Sequence, residues 1–314
     1  MIEIFPYADE ADEQRGLDVY NAVWPHDRVG LDEVRAYRAS LRDYVDLLAR
    51  IDGTMAGFAL AAIAPQRPER ALALVTVLPE LRGRGTGTAL YEAVSAWAHE
   101  RSLGVLETIV ADNDPESLGF AKRRSFTEDG HELGVSLDLR QTEPPIAKPP
   151  EDVEIVTWAE RPELARGMYE VWLEAIPDIP GAEDEQIEPF DDWLAHDMRG
   201  PGDRPEATFV AVAGDEVIGY AKFSLSSAQP TTAHHDLTGV KRSWRGRGVA
   251  RALKATQIAW AKAYGYQELR TTNEERNAPI RRLNQEFGYR PSIGWIFLKG
   301  PLASPSGGEG IRTT

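Results

Sequence analysis

The sequence predicts an α/β (α+β) fold made of two tandem domains, each a mixed, mostly antiparallel sheet flanked by helices. Three observations lead to this prediction. The chain has 314 residues, which suits two domains of roughly 100–200 residues each. A glycine-rich turn occurs twice, and the order of strand and helix signals restarts near the middle of the chain.

The two glycine-rich turns are residues 82–87 (RGRGTG) and 245–250 (RGRGVA). The second begins 163 residues after the first (245 minus 82). The same offset relates further residues over more than forty positions, which indicates a duplicated domain rather than chance. The matching pairs are Leu90 and Leu253, Trp97 and Trp260, Leu106 and Leu269, Thr108 and Thr271, and Phe126 and Tyr289.

The first copy predicts the order β-α-α-β-β-β-turn-α-β-α-β, with six strands and four helices when residues 45–51 are counted as a strand. Apolar residues three and four apart, such as Leu90, Val94 and Trp97, predict a helix with one buried face. Asp52-Gly53 predicts a hairpin turn. Residues 45–51 have two interpretations, the end of a helix or the start of a strand. The predicted strands are 2–5, 55–63, 71–77, 106–110 and 131–139, and the helices are 11–24, 31–48, 87–100 and 115–124.

The second copy repeats this order after a proline-rich connection. Four prolines within residues 140–152 predict a stiff, extended linker. We therefore expect a first domain at 1–140, a linker at 141–152, a second domain at 153–300 and a flexible tail at 301–314. The predicted elements of the second copy are strands at 153–156, 209–212, 217–223, 236–240, 269–272 and 295–299, and helices at 250–264 and 279–286, with a further helix that carries Met168, Val171 and Trp172.

Composition and charge exclude several classes of function. The chain has no cysteine, so disulfides, thiolate metal sites and a cysteine nucleophile are excluded. A net charge of −15 argues against nucleic acid and favours a cationic substrate such as an amine, although solubility alone explains it equally well. No signal peptide or membrane helix is predicted. We expect a cytoplasmic monomer or homodimer with no metal and no nucleic-acid or membrane partner.

Each turn lies between a predicted strand and a predicted helix, which makes it a candidate anion site. Backbone N–H groups at the helix start lack partners, and the helix dipole is positive there. Gly246 and Gly248 allow close approach of a phosphate, and Arg245 and Arg247 add donors. A purely structural tight turn is the alternative. A Walker P-loop is excluded because neither turn continues to Gly-Lys-Ser/Thr, and the dinucleotide fingerprint fits poorly.

The patterns Arg82-x-x-Gly85-x-Gly87 and Arg245-x-x-Gly248-x-Ala250 resemble the pyrophosphate-binding turn of the GNAT superfamily of acyl-CoA-dependent N-acetyltransferases. The resemblance covers both halves. It implies acetyl-CoA as the cofactor, with a splay between the fourth and fifth strands that admits the pantetheine arm. The implied contacts are Thr238, Gly239, Val240, Arg245, Gly246, Arg247, Gly248, Val249, Ala250 and Asn277 in the second half, and Val75, Thr76, Val77, Arg82, Gly83, Arg84, Gly85, Thr86 and Gly87 in the first.

The same resemblance suggests where a general base would lie. Some family members use a glutamate about six positions before the end of the fourth strand, and His234 stands there. Asp236 lies two residues further, on the same face by strand alternation, and could tune the histidine towards neutral pH. A solvated histidine pair at the strand start is the alternative. The matching residues of the first half, Ala71 and Ala73, cannot accept a proton.

The family's proton donor is often a tyrosine five residues before a Gly-Phe-like pair. Asn284 occupies that position in the second half, where it could position a water molecule, and Ala121 occupies it in the first half. The place of Asn277 is likewise taken by Asp114 in the first half. These departures predict that the second half is catalytic and that the first is degenerate, with at most CoA binding retained.

The predicted activity is transfer of the acetyl group of acetyl-CoA to a primary amine, expected to belong to a small molecule. The alternatives are a non-catalytic acyl-CoA-binding or regulatory protein, and a protein N-acetyltransferase. The substrate region by resemblance is the first two helices and their loop. There, carboxylates beside an aromatic ring could hold an ammonium group, or they form a solvated acidic loop. The residues concerned are Glu183, Asp184, Glu185, Glu188, Asp191, Asp192 and Trp193.

Overall fold

The computed structural model describes residues 1–179 and 187–304. Glu183, Asp184 and Glu185 of the acidic stretch, and most of the predicted tail at 301–314, therefore lie outside the described residues. Within the described part of the chain, no helix is long and apolar enough to cross a membrane.

The chain forms two compact units, which we call unit 1 (residues 1–130 and 296–314) and unit 2 (residues 131–295). This division differs from the predicted domains at 1–140 and 153–300. Residues 131–139 bring Leu137 and Leu139 into the core of unit 2, and Leu298 belongs to the core of unit 1. The last strand of each sequence repeat thus contributes to the unit built mainly by the other repeat.

Both repeats have the predicted order of elements. The first contains β1 (Ile2–Pro6), α1 (Glu10–Val23), α2 (Leu31–Ser40), β2 (Asp43–Ile51), β3 (Thr54–Ile63), β4 (Ala71–Val77), α3 (Thr86–Glu100), β5 (Val105–Ala111), α4 (Pro115–Lys122) and β6 (Thr127–Asp138). The second contains β7 (Val153–Thr157), α5 (Ala165–Ala175), α6 (Phe190–His196), β8 (Thr208–Ala213), β9 (Glu216–Ser224), β10 (Thr232–Val240), α7 (Val249–Ala263), β11 (Glu268–Glu274), α8 (Ala278–Glu286) and β12 (Arg290–Pro301).

The strand interpretation of residues 45–51 is the correct one. Helix α2 ends at Ser40, and the next residue has extended backbone geometry. In β2 the residues from Leu47 to Ala49 are buried on both faces of the strand. A continuous apolar run of this kind is typical of a central strand, and residues 41–48 therefore do not extend the helix.

The prediction of a mixed, mostly antiparallel sheet is confirmed in each unit. In unit 1 the strand order is β1-β2-β3-β4-β5, followed by the end of β12. In unit 2 the order is β6-β11-β10-β9-β8-β7. Strands β4 and β5 run parallel, as do β10 and β11, whereas the other registered pairs are antiparallel.

The helices pack on these sheets through the faces that the periodicity predicts. Leu90, Val94 and Trp97 of α3 are buried in the core of unit 1. Leu253 and Ile258 of α7 are fully buried in the core of unit 2. Burial of one such aliphatic side chain contributes roughly 1.5–3 kcal/mol. This packing fixes where α3 and α7 begin, directly after the glycine-rich turns.

Candidate active site

Both glycine-rich turns have the backbone geometry of an anion site. Gly246 and Gly248 have φ angles of 73° and 90°, and Gly83 and Gly85 have 74° and 94°. These left-handed values favour glycine. Helix α7 begins directly after Gly248, and no acceptor for the N–H groups of residues 246–250 is found among the residues that the structure describes. Several donors and the positive end of the helix dipole therefore point in one direction.

The space in front of the second turn is open. A Cβ atom added to Gly246 or Gly248 would meet no heavy atom within 4 Å. A bulky anion can therefore approach the backbone closely, as a pyrophosphate would require. The turn of unit 1 is similar, since an added Cβ is free at Gly83 and meets only the tip of Ile2 at Gly85, at 3.3 Å. The residues present fit a pyrophosphate group in both units.

The arginine that opens each turn supports the backbone as well as offering charge. Arg245 donates from Nε to the Val240 carbonyl oxygen at 3.0 Å. Its Nη1 atom lies 2.6 Å from Asp178, which also pairs with Arg242 at 2.8 Å. Hydrogen bonds from Arg242 and Arg245 lower the pKa of Asp178 to about 2. A carboxylate therefore already neutralises part of the charge beside this turn.

In each unit the two parallel strands separate after a short paired segment. Strands β10 and β11 are registered only from Thr232 to His234, opposite residues 268–270. Strands β4 and β5 are registered only at residues 71–72, opposite 106–107. The later residues of β10, including Thr238, Gly239 and Val240, pair with β9 on one side and have no registered partner in β11. The resulting opening agrees with the predicted splay.

A further predicted cofactor position, Asn277, and its counterpart in unit 1 begin the helices that follow β11 and β5. Asn277 is the N-cap residue of α8, and its side chain makes no capping hydrogen bond. Its counterpart Asp114 caps α4 by accepting from the Ser117 N–H at 3.0 Å. Asp114 also lies 3.5 Å from Arg82. The asparagine amide therefore remains available in unit 2, whereas the aspartate of unit 1 has structural partners.

The predicted base lies where the strands begin to separate. His234 is the last residue of β10 that is registered with β11, opposite Arg270. A register shift follows between His235 and Thr238. Asp236 is 2.7 Å from Lys222, whose Nζ is also 2.8 Å from Asp203. Burial lowers the pKa of Lys222, but the two carboxylates outweigh this effect and raise it above its ordinary value.

The neighbouring histidine is buried, which corrects the alternative of a solvated histidine pair. His235 is only 7% exposed. Its Nδ1 is 3.0 Å from Gln257 Oε1, and its Nε2 is 2.5 Å from the Tyr289 hydroxyl. Burial and the nearby Lys254 ammonium keep the pKa of His235 well below 6.5. The ring is therefore neutral, with Nδ1 donating to Gln257 and Nε2 accepting from Tyr289.

Next to this histidine lies a buried lysine. Lys254 is 1% exposed and donates to Asn284 Oδ1 at 2.8 Å. Asn284, also 1% exposed, donates in turn from Nδ2 to Asn273 Oδ1 at 2.6 Å. Burial lowers the pKa of Lys254 to about 7. Asn284, which occupies the position of the family's proton donor, is thus held between the Lys254 ammonium and the Asn273 amide.

In unit 1 the matching positions are apolar or aromatic. A lysine inside an amphipathic helix pattern ordinarily predicts a solvent-facing residue, so the sequence alone gave little reason to select Lys254. The comparison of the two repeats is the signal that could have found the network. The residues at the offset of 163 from His235, Lys254, Gln257, Asn273, Asn284 and Tyr289 are Leu72, Tyr91, Val94, Val110, Ala121 and Phe126.

The aromatic residue of the predicted substrate region is unavailable to a ligand. Trp193 is fully buried and packs against Tyr169 and Phe190, with ring centroids 5.3 and 5.9 Å away. Its ring therefore cannot hold an ammonium group at the surface, while Asp191 and Asp192 are exposed.

A family comparison agrees with this geometry. The model of the Acetyltransferase (GNAT) family matches residues 10–126 and 165–289, which together make up more than half of the chain. The chain therefore belongs to the GNAT family and is an acyltransferase. The family uses acetyl-CoA as its cosubstrate, which fits the turn and the strand opening described above.

Individual relatives resemble the chain over different lengths. A mycothiol acetyltransferase of Acidothermus cellulolyticus is 25% identical over 276 residues, covering 74% of this chain and 72% of the relative. An L-2,4-diaminobutyric acid acetyltransferase of Nocardia farcinica is 32% identical over 96 residues, covering 28% of this chain and 50% of the relative.

The fold resembles solved structures along nearly the whole chain. A tandem GNAT protein from the clavulanic acid biosynthesis pathway superposes with a TM-score of 0.79 at 19% identity, covering 97% of this chain and 99% of the other. A GCN5-related N-acetyltransferase from Sphaerobacter thermophilus superposes with a TM-score of 0.75 at 20% identity, covering 96% of each chain. These likenesses establish the tandem fold.

Proposed function

We propose that unit 2 transfers the acetyl group of acetyl-CoA to the primary amine of a small molecule. One observation carries the proposal: the opening between β10 and β11 begins at His234, and the same strand leads to the glycine-rich turn with its free N–H groups. Relatives named for the acetylation of small amines support the acceptor class. Bound acetyl-CoA would supply an acetyl group activated as a thioester.

The residues of unit 2 would then have separate tasks. The N–H groups of residues 246–250, with Arg245 and Arg247, would hold the pyrophosphate. The unpaired edge of β10 at Thr238, Gly239 and Val240, with the Asn277 amide, would hold the pantetheine arm. No step of this binding requires unit 1.

On the acceptor side, His234 would remove the proton that makes an ammonium group unreactive. Asp236, which also pairs with Lys222, would stabilise the positive charge that His234 gains when it accepts the proton. Asn284 is buried and would act on the departing group only through its hydrogen bond to Asn273. Unit 1, which keeps the turn but has Ala71, Ala73 and Ala121 at these positions, would bind CoA without turnover.

A thiol-release assay tests this proposal. The purified full chain is incubated with acetyl-CoA and a panel of small diamines, amino acids and amino sugars, and free thiol is measured with and without each amine. We expect amine-dependent thiol release with at least one member. Binding of acetyl-CoA without release for any amine, including lysine-containing peptides, would favour the non-catalytic alternative. Release with peptides alone would favour a protein acetyltransferase.

A further inference from the structure

The hydrogen bonds around Lys254 all run in one direction. Lys254 donates to the oxygen of Asn284, and Asn284 donates from its nitrogen to the oxygen of Asn273. The amide nitrogen of Asn273 is the next donor, and no acceptor for it is found in the described part of the chain. Aligned hydrogen bonds polarise one another in a low-dielectric interior. This series of hydrogen bonds therefore ends in a strengthened N–H donor, the side-chain amide of Asn273.

Asn273, the last residue in this series of hydrogen bonds, lies at the strand opening. Asn273 belongs to the part of β11 that has no registered partner in β10, since that pairing ends at Arg270. Asn273 is partly exposed, whereas Lys254 and Asn284 are 1% exposed. A ligand in the opening can therefore reach Asn273, and the two buried residues act only through it.

The buried ammonium has no carboxylate to balance it. Burial lowers its pKa, and Lys254 forms no ion pair with a carboxylate in the described part of the chain. The groups that face it are Asn284 of α8, the Tyr289 ring at 5.1 Å and the neutral His235 of β10. A buried cation without a counter-ion is costly, and an anion in the opening would relieve that cost.

We infer that Lys254, Asn284 and Asn273 form a donor chain that stabilises the sulfur of CoA as a thiolate in the opening of unit 2. This inference rests on the proposed function. In the transfer, the amine nitrogen bonds to the acetyl carbon, the carbon–sulfur bond breaks with its electron pair moving to sulfur, and the amine proton passes to the base. Solvent later protonates the thiolate. Asn273 contacts the sulfur, and Lys254 and Asn284 are positioning residues.

Titration of the thiol of bound CoA tests the inference without an acceptor or turnover. CoA is added to saturating full-length protein, and thiolate is followed by its ultraviolet absorbance as the pH is raised. The wild type should show a bound thiol whose pKa is below that of free CoA. Lys254→Met should raise it by about 1–2 units, the usual contribution of a hydrogen bond to a charged group.

Two further variants make the result specific. Tyr91→Met changes the matching residue of unit 1 and should leave the bound-thiol pKa at the wild-type value. Asn273→Ser, at the partly exposed end, should raise it as Lys254→Met does, and it replaces that variant if Lys254→Met does not fold.

The outcomes separate this inference from the proposed function. If calorimetry detects no CoA binding to the wild type, the proposed function and the inference both fail. If CoA binds but the thiol titrates identically in the wild type, Lys254→Met and Asn273→Ser, the donor chain has only a structural role and the inference alone is overturned.

Discussion

In both units an arginine supports the glycine-rich turn in the same way. Arg245 donates to Val240 at 3.0 Å in unit 2, and Arg82 donates to Val77 at 3.2 Å in unit 1. The φ angles of Gly248 and Gly85 differ by only a few degrees. The backbone that would bind a pyrophosphate is therefore equivalent in the two units.

The polar network beside the opening of unit 2 has no counterpart in the described part of unit 1. Unit 2 buries a histidine, a lysine, a glutamine and one asparagine near its opening and has a second, partly exposed asparagine there, and unit 1 has apolar or aromatic residues at every matching position. Buried polar networks contribute little net stability and demand that each member is satisfied. The glycine-rich turn is therefore a feature of the fold of both units, whereas the polar network distinguishes the unit that we propose to be catalytic.

The largest effect should come from dividing the chain at the proline-rich segment. A fragment of residues 1–140 lacks Leu298 of the unit 1 core and exposes Leu137 and Leu139, which belong to unit 2. We expect it to show no cooperative thermal unfolding. A matched control joins residues 1–130 to 296–304 through a flexible linker and should unfold cooperatively. Cooperative unfolding of the 1–140 fragment would contradict the observed exchange of strands.

The next effect concerns the base. His234→Gln should reduce kcat/KM for the amine by about 10²–10⁴-fold, because it removes general-base catalysis. Its pH–rate profile should also lose the decrease at acid pH that a histidine produces. Glu69→Gln changes a carboxylate two residues before Ala71 in unit 1; it is the control and should leave both quantities unchanged. Full activity of His234→Gln would assign the base elsewhere.

The third effect concerns Lys254, whose burial should make the free energy of unfolding depend on pH. The pKa of Lys254 is about 7 in the folded chain against an ordinary value of 10.5. Between these values the unfolded state binds a proton that the folded state does not, so the free energy of unfolding rises with pH. The rise in the wild type relative to Lys254→Met should total a few kcal/mol, at about 1.4 kcal/mol per pH unit.

Chemical denaturation at pH 6, 7.5 and 9 measures this difference. Below pH 7 Lys254→Met should be the more stable protein, since it avoids burying the charge. Its gain in the free energy of unfolding is reduced by about 1–3 kcal/mol, because the Asn284 oxygen is left without a donor. The control Tyr91→Met should differ from the wild type by the same amount at each pH. A difference between wild type and Lys254→Met that is independent of pH would contradict the assignment of a depressed pKa.

The smallest effect should come from Asp178. Asp178→Asn removes the carboxylate that pairs with Arg242 and Arg245 and should tighten acetyl-CoA binding about twofold to fivefold, because exposed ion pairs contribute little. Calorimetry at low and high salt measures it, and the gain should shrink with salt. Asp114→Asn tests the ion pair that Arg82 makes with Asp114 in unit 1. Weaker binding by Asp178→Asn would mean that its ion pairs organise the turn.

Much of this fold could be predicted from the sequence. The repeat, the order of elements and the turns follow from local patterns, namely glycines between an apolar run and an amphipathic helix. The strand exchange could not be predicted, because β6 and β12 have the same place in each repeat. Which unit each joins depends on tertiary packing, as Leu137 and Leu298 illustrate.

The side chains of the site were predictable only in part. The family resemblance selected His234, and strand alternation added Asp236 and left His235 on the opposite face, where it is hydrogen-bonded to Gln257 and Tyr289. Lys254 follows a buried leucine in a helix, and nothing local indicates that α8 covers it. Such contacts join residues 11 to 54 positions apart, and no short-range pattern predicts them.

Amine acetylation by two matched turn variants tests most directly whether unit 2 is the catalytic unit. Gly248→Trp and Gly85→Trp place the same bulk at φ angles of 90° and 94°, so both variants carry a similar backbone strain, and thermal unfolding checks that both fold. With the amine found by thiol release, Gly248→Trp should lose turnover at saturating acetyl-CoA, and Gly85→Trp should retain it within about threefold. Loss of turnover in Gly85→Trp with activity retained in Gly248→Trp would contradict the proposal that unit 2 is the catalytic unit.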